Sequence, residues 1–211
     1  MKEWQSEMRS QSGLITGLLF SVVTVYTISF AMLNTKIKGT EVAGLLWVAL
    51  LFSSASSLPR IFLAEEEQGT AELLRLVARP HSVFWGKALF NSLQCVVTGI
   101  LLSVLYLGFS GKVVTVPWLF AVCLVAGCLS LAGAVTLCGA IASQAINRAV
   151  LSAAIAVPLL LPLVSLGVSG MRVSLNDGLM SDGVGAAIGL VGYACATMAT
   201  GPYIFAAVWK S

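Results

Sequence analysis

Eight charged side chains fall between Arg60 and Lys87, in a chain that has 12 basic and 9 acidic residues in all. Within that stretch Gly69 interrupts the helical pattern and Thr70 is a good N-cap. Glu72 follows in the first turn, where a helix dipole favours an anion. Leu73, Leu74 and Val77 then share one face, while Glu72, Arg75 and Arg79 share the opposite one. Pro80 closes the element, because the residue before a proline is pushed out of the α region. The chemistry on offer is recognition: an apolar face rimmed by both signs of charge, approached through the acidic run Glu65, Glu66, Glu67. A solvated connector is the bland alternative. Placement between two membrane-length apolar runs favours docking on a partner in water, with Glu66, Glu67, Gly69, Thr70, Glu72, Leu73, Leu74, Arg75, Val77, Arg79 and Pro80 as its residues and Lys87 as a basic residue at the membrane edge.

Other chemistry is sparse. His81 is the single histidine, so neither a histidine metal cluster nor a Ser/His/Asp triad can be assembled, and a structural place at the membrane edge is expected for it. No phosphate-cradling G-x-x-x-x-G-K-[ST] loop is present, so ATP hydrolysis would need another subunit. Cys95, Cys123, Cys128, Cys138 and Cys195 all fall in apolar runs without C-x-x-C spacing and read as small packing residues. Basic residues are too few and scattered for a nucleic-acid surface. No catalytic, cofactor-binding or metal-ligating set is therefore expected in this chain.

The elements that must position the loop are membrane spans. With 58% hydrophobic and 10% charged residues and a mean hydropathy of +0.94, the chain is too apolar for a soluble domain, in which about a quarter of residues are charged. A helix needs roughly 20 apolar residues to cross the hydrocarbon core. The charge-free runs predict an all-α protein forming a single domain over 1–211, with six transmembrane helices near 13–34, 42–63, 84–109, 118–142, 150–170 and 184–208. The docking loop occupies 64–82, between the second and third, and carries a short amphipathic coupling helix. Basic residues favour cytoplasmic termini: that side would hold Lys2, Arg9, Arg60, Arg75, Arg79, Lys87, Arg148 and Lys210 against Lys36, Lys38, Lys112 and Arg172 opposite. Residues 1–12 are polar and lack a signal-peptide pattern. Trp4 and Met8, four apart, suit a helix lying along the cytoplasmic interface, and a plain polar tail suits them equally.

Within the spans, Gly13/Gly17 and Gly185/Gly189 fit G-x-x-x-G, and Gly127, Gly133 and Gly139 add small faces; packing within the chain is expected of them ahead of a dimer seam. Pro158 and Pro162 should kink the fifth helix, and Ser53, Ser54, Ser56 and Ser57 can bond within or between helices. Apart from Lys87, and Arg60 near the end of the second span, no Asp, Glu, Lys or Arg falls inside a span, which argues against an ion-coupled carrier.

The string Glu66-Glu67-Gln68-Gly69-Thr70-Ala71-Glu72-Leu73-Leu74, with Pro80 and Lys87 downstream, resembles the first cytoplasmic loop of type-2 ABC exporter permeases. In size, span number and lack of a large external domain the whole chain is similar to the CcmB family, haem exporter protein B of cytochrome c maturation. The resemblance implies a permease subunit in a bacterial cytoplasmic membrane, with haem as the possible substrate and no cofactor bound directly. Implied partners are an ATPase subunit (CcmA-like), which binds the ATP, a tryptophan-rich haem-handling subunit (CcmC-like), a small single-span subunit (CcmD-like) and the lipid bilayer. Two alternatives stay open: a type-2 permease for a lipid, glycan or drug, and a non-transporting subunit that transmits ATPase motion to release a haem-loaded chaperone.

Overall fold

Backbone amides find no partners in hydrocarbon, so long apolar runs close their hydrogen bonds internally as helices. The computed structural model describes residues 19, 22–28, 30, 38–67, 80–142 and 148–209, and among these every regular element is a helix. The long ones are α1 (Gly39–Glu67), α2 (Pro80–Ser110), α3 (Pro117–Ala142), α4 (Arg148–Ser174) and α5 (Met180–Trp209). A further helical stretch covers residues 22–28. Four helical segments are long and apolar enough to cross a membrane, Pro80–Ser110, Pro117–Ile141, Ala154–Ser174 and Met180–Ala207, and α1 carries a shorter apolar stretch, Gly39–Ser54. α1 to α5 cover the expected helices 42–63, 84–109, 118–142, 150–170 and 184–208, and each runs one to four residues past its expected bounds at one end or both. Of the expected span 13–34 only 19, 22–28 and 30 are described, and 1–12 lies outside the described residues.

The extensions come from capping. At the start of α1 the Glu41 carboxylate reaches back to accept from the Lys38 N–H at 3.0 Å, one half of a capping box. Pro80 is the first residue of α2, where its missing N–H removes a donor that would have no partner anyway. At the other end of α2, Gly111 has φ of 63° and donates its N–H to the Leu107 carbonyl at 3.1 Å. α4 ends in a Schellman turn. Asn176 takes φ of 64° and donates to the Val173 carbonyl (3.1 Å), and Asp177 donates to the Arg172 carbonyl (3.0 Å).

That turn carries the Asp177 carboxylate onto the next helix end. Its Oδ2 accepts from the Thr40 N–H at 2.8 Å and from Thr40 Oγ1 at 2.6 Å, so α1 is capped by a residue far away in sequence. These bonds hold the Asp177 carboxyl below its ordinary range, the Thr40 hydroxyl first and its N–H second. The Ser174 carbonyl meanwhile accepts from Thr115 N (2.9 Å), Thr115 Oγ1 (2.8 Å) and Val116 N (3.2 Å). Loop 111–116 is thus tied to the end of α4, and loop 175–179 to the start of α1, at one end of the bundle.

α3 is the central helix, packed against α1, α2, α4 and α5. It can be central because it is small and apolar all round. Gly127 and Gly133 let Trp47 and Thr197 approach so closely that a Cβ at either glycine would sit 2.5 Å from them. Gly189 of the expected G-x-x-x-G pair lies against Leu166, whereas the space beside Gly185 is open. Ser130 Oγ donates to its own helix at Ala126 O (2.7 Å) and is 2.8 Å from Leu190 O of α5. α4 stays helical through Pro158 and Pro162, and in the turn between them the Leu159 carbonyl accepts from Tyr193 Oη of α5 at 2.8 Å.

Candidate functional site: a polar pocket between two helices

The docking residues expected from the sequence divide on either side of the described region. Glu66 and Glu67 form the helical end of α1, and Pro80 opens α2. Gly69, Thr70, Glu72, Leu73, Leu74, Arg75, Val77 and Arg79 lie outside the described residues. The segment is therefore the link joining α1 to α2, and those two helices position the feature described next.

α2 presents Lys87, Asn91, Cys95 and Thr98 at spacings of four, four and three, which places them on one face of the helix. All four are buried. Opposite them α1 presents Ser53 and Ser54, also buried. A small pocket of about 10 Å³ lies in this groove, lined by Leu50, Ser53 and Ser54 from α1 and by Asn91, Gln94, Cys95 and Thr98 from α2. Its polar groups are held in place from behind. Asn91 Nδ2 donates to the Ala132 carbonyl (3.3 Å) and to Thr136 Oγ1 (3.1 Å) of α3, and the hydroxyl of Thr136 itself donates to Ala132 O at 2.7 Å. Ser54 Oγ and Cys95 Sγ are 3.5 Å apart across the groove.

Lys87 lies one turn from Asn91 toward the Pro80 end and is only 3% exposed, the one charged side chain among the buried described residues. The expected membrane-edge position is therefore seven residues inside α2 and within the bundle. Beside it Phe84, Ala88, Ala140 and Phe205 form a small core of their own, into which Gly201 admits the Phe84 ring. Charged side chains inside membrane helices are costly enough that they are usually paired and serve function. Sequence reasoning passed over this polar face. The signal was present, since a lysine and three polar residues recurring on one side of an apolar helix mark the side turned away from lipid.

The remaining candidates take packing roles. His81 is exposed and meets the Tyr203 ring edge-on, centroids 5.6 Å apart. Cys95, Cys123, Cys128 and Cys138 are buried free thiols, with Cys95 within hydrogen-bonding reach of Cys128 across the α2–α3 contact, while Cys195 is exposed on the outer face of α5. Among the described residues no cluster of three or more His, Cys, Asp or Glu could hold a metal ion.

Helices of membrane length, apolar outer faces and a polar groove between two of them define an all-helical membrane protein. A family model described as CcmB protein matches residues 1–211, the whole chain, and the protein belongs to the CcmB family. Comparison with curated proteins gives no match.

Proposed function

We propose that this chain is the permease subunit of an ATP-driven exporter complex acting in haem delivery for c-type cytochrome maturation, in a bacterial cytoplasmic membrane. The observation that carries the reading is the family match over the full length. In this reading the chain crosses the membrane six times with both termini in the cytoplasm. The link from Glu66 through Pro80 is the coupling element on which a separate ATPase subunit docks, Leu73, Leu74 and Val77 entering its cleft and Glu72, Arg75 and Arg79 pairing at the rim. A CcmC-like and a CcmD-like subunit complete the complex. Supporting it, α1 ends at Glu67 and α2 begins at Pro80, so a push on the link reaches both walls of the polar groove.

One observation favours a second version, in which ATPase motion is transmitted to release a haem-loaded chaperone and this chain carries no substrate through itself. The groove's cavity, about 10 Å³, is far below the roughly 300–1,000 Å³ of sites that enclose a whole small molecule. Co-purification tests what both versions share. Leu73→Asp and Gly69→Val should lose the ATPase subunit and cytochrome maturation while the permease still inserts, and Arg75→Ala should weaken both in part. A Leu73→Asp protein that inserts and retains the ATPase at wild-type level refutes the docking assignment. Transport by the reconstituted complex separates the two versions.

A further inference from the structure

We infer that the end of the bundle carrying loops 111–116 and 175–179 is a lipid-binding collar, seated in the headgroup layer of a phospholipid bilayer and not held out in water. Among the described residues the three most exposed large hydrophobic side chains are Val113 (78%), Tyr203 (73%) and Leu179 (71%). Two of them lie in these loops, where connecting segments are ordinarily polar. Phe109, Trp118 and Met180, exposed as well, stand at the neighbouring ends of α2, α3 and α5. The bonds from Thr115 and Val116 to the Ser174 carbonyl bring the two loops together, so these side chains make one patch. An apolar patch of this kind marks a contact with protein or with membrane.

Continuity and length decide for membrane. Through Phe109 the patch runs on into Val104, on the lipid-facing side of α2. From Phe109 back to Trp85 on α2 the axial rise is about 36 Å, and from Met180 on to Tyr203 on α5 about 35 Å. Both exceed the roughly 30 Å of the hydrocarbon core and fall short of the roughly 40–45 Å that includes the headgroups. At the far end Trp85 and Tyr203 are exposed in their turn, and Tyr203 meets His81 of α2, so the two helices end their apolar stretch at one level. Exposed Trp and Tyr rings at both ends suit headgroup layers, because the ring sits among the chains while its N–H or O–H stays wet. Among the described residues at the collar end, Lys38, Lys112 and Arg172 are balanced by Glu41, Asp177 and Asp182. The collar therefore needs no anionic lipid. The inference requires only that the helices span a membrane and stands apart from the permease reading.

The test reconstitutes the purified full chain in phosphatidylcholine vesicles, plain or dibrominated either just below the headgroup or near the chain ends, with iodide on both faces as the aqueous quencher. The Trp118 emission is taken as wild type minus Trp118→Phe, and the Trp85 emission likewise from Trp85→Phe. Both should be lost with the shallow bromines, be quenched less by the deep ones and be untouched by iodide. Val113→Asp and Leu179→Asp alter side chains that are mostly exposed, and give an independent reading should a tryptophan variant fold poorly. Each should lower the melting midpoint in the same vesicles and open the chain's emission to iodide, whereas a patch facing water predicts an unchanged or higher midpoint. Iodide quenching of Trp118 without a response to bromine overturns the inference and leaves the patch as a docking surface for a soluble protein. Stronger quenching by the deep bromines overturns it as well, by placing the loops inside the hydrocarbon.

Discussion

Trp47 is the residue on which three helices are registered, and its surroundings make a quantitative test. The indole of this α1 side chain is fully buried, and its benzo edge lies against Gly127 of α3 and Gly167 of α4. A Cβ at Gly127 would stand 2.5 Å from Cη2 and 2.7 Å from Cζ2, about 1 Å inside the distance at which two carbons attract. A Cβ at Gly167 would meet the same ring more closely still. The indole is rigid and bounded on both sides, so neither clash can be relieved by a side-chain rotation. Overpacking of this kind costs about 1–3 kcal/mol, and in a chain of this length roughly 2–4 °C of melting temperature accompany each kcal/mol. Gly167→Ala should therefore lower the midpoint by roughly 2–12 °C, read by fluorescence-detected gel filtration after heating in detergent. Gly44→Ala and Gly192→Ala, where a Cβ meets nothing within 4 Å, are the controls and should hold or slightly raise stability. Trp47→Leu removes the ring, so the Gly167→Ala/Trp47→Leu double variant should be less destabilised than the two singles added, by about 0.5–3 kcal/mol. A Gly167→Ala protein as stable as wild type, or strictly additive losses, would refute the clamp.

Three further outcomes are expected from the same packing. Because the Asp177 carboxyl is held below its ordinary value of 3.8 by Thr40, its stabilisation is complete above that value and disappears as pH falls through the lower native one. Asp177→Asn should reduce stability at neutral pH by about 1 kcal/mol and flatten the acid limb of the melting-temperature profile. Ser130→Ala removes the hydrogen bond from Ser130 Oγ of α3 to Leu190 O of α5 and should cost about 0.6 kcal/mol by thermal melting, the average for hydrogen bonds between membrane helices. The Arg172–Asp182 pair, 3.8 Å apart with side chains 35% and 47% exposed, should be nearly silent. Asp182→Ala is expected to shift stability by less than about 0.5 kcal/mol, with little dependence on salt.

What the sequence discloses and what it conceals follow from one physical asymmetry. Helices in hydrocarbon are forced by backbone satisfaction and bounded by charge, both one-dimensional properties, so the charge-free runs locate α1 to α5 to within a few residues. The ends needed more than one dimension. α1 starts at Gly39 under a cap from Asp177, well over a hundred residues away, and α4 continues to Ser174 because an asparagine adopts the left-handed conformation beyond it. Neither bond leaves a local signature. The glycines show the same limit: Gly127 and Gly167 are placed by one tryptophan on another helix, while Gly185, half of a recognisable motif, has open space beside it.

Lys87 exposes the deeper reason the candidate site was hard to see. A span defined as a run between charged residues must put every charge at a boundary, so the rule itself consigns a buried cation to the membrane edge. Helical periodicity escapes that circularity, because it asks which side a residue faces and not how far along it lies. On α2 the residues one side of the wheel are Leu89, Leu93, Val97 and Val104, all exposed and apolar, and on the other Lys87, Asn91, Cys95, Thr98 and Leu102, all buried. In water this arrangement would be inverted, with polar residues outward. In lipid it is what burial demands, since a polar group turned toward hydrocarbon has no partner at all. The polar face of a membrane helix is thus an inward-pointing label, and on α2 Lys87 is the charge upon it.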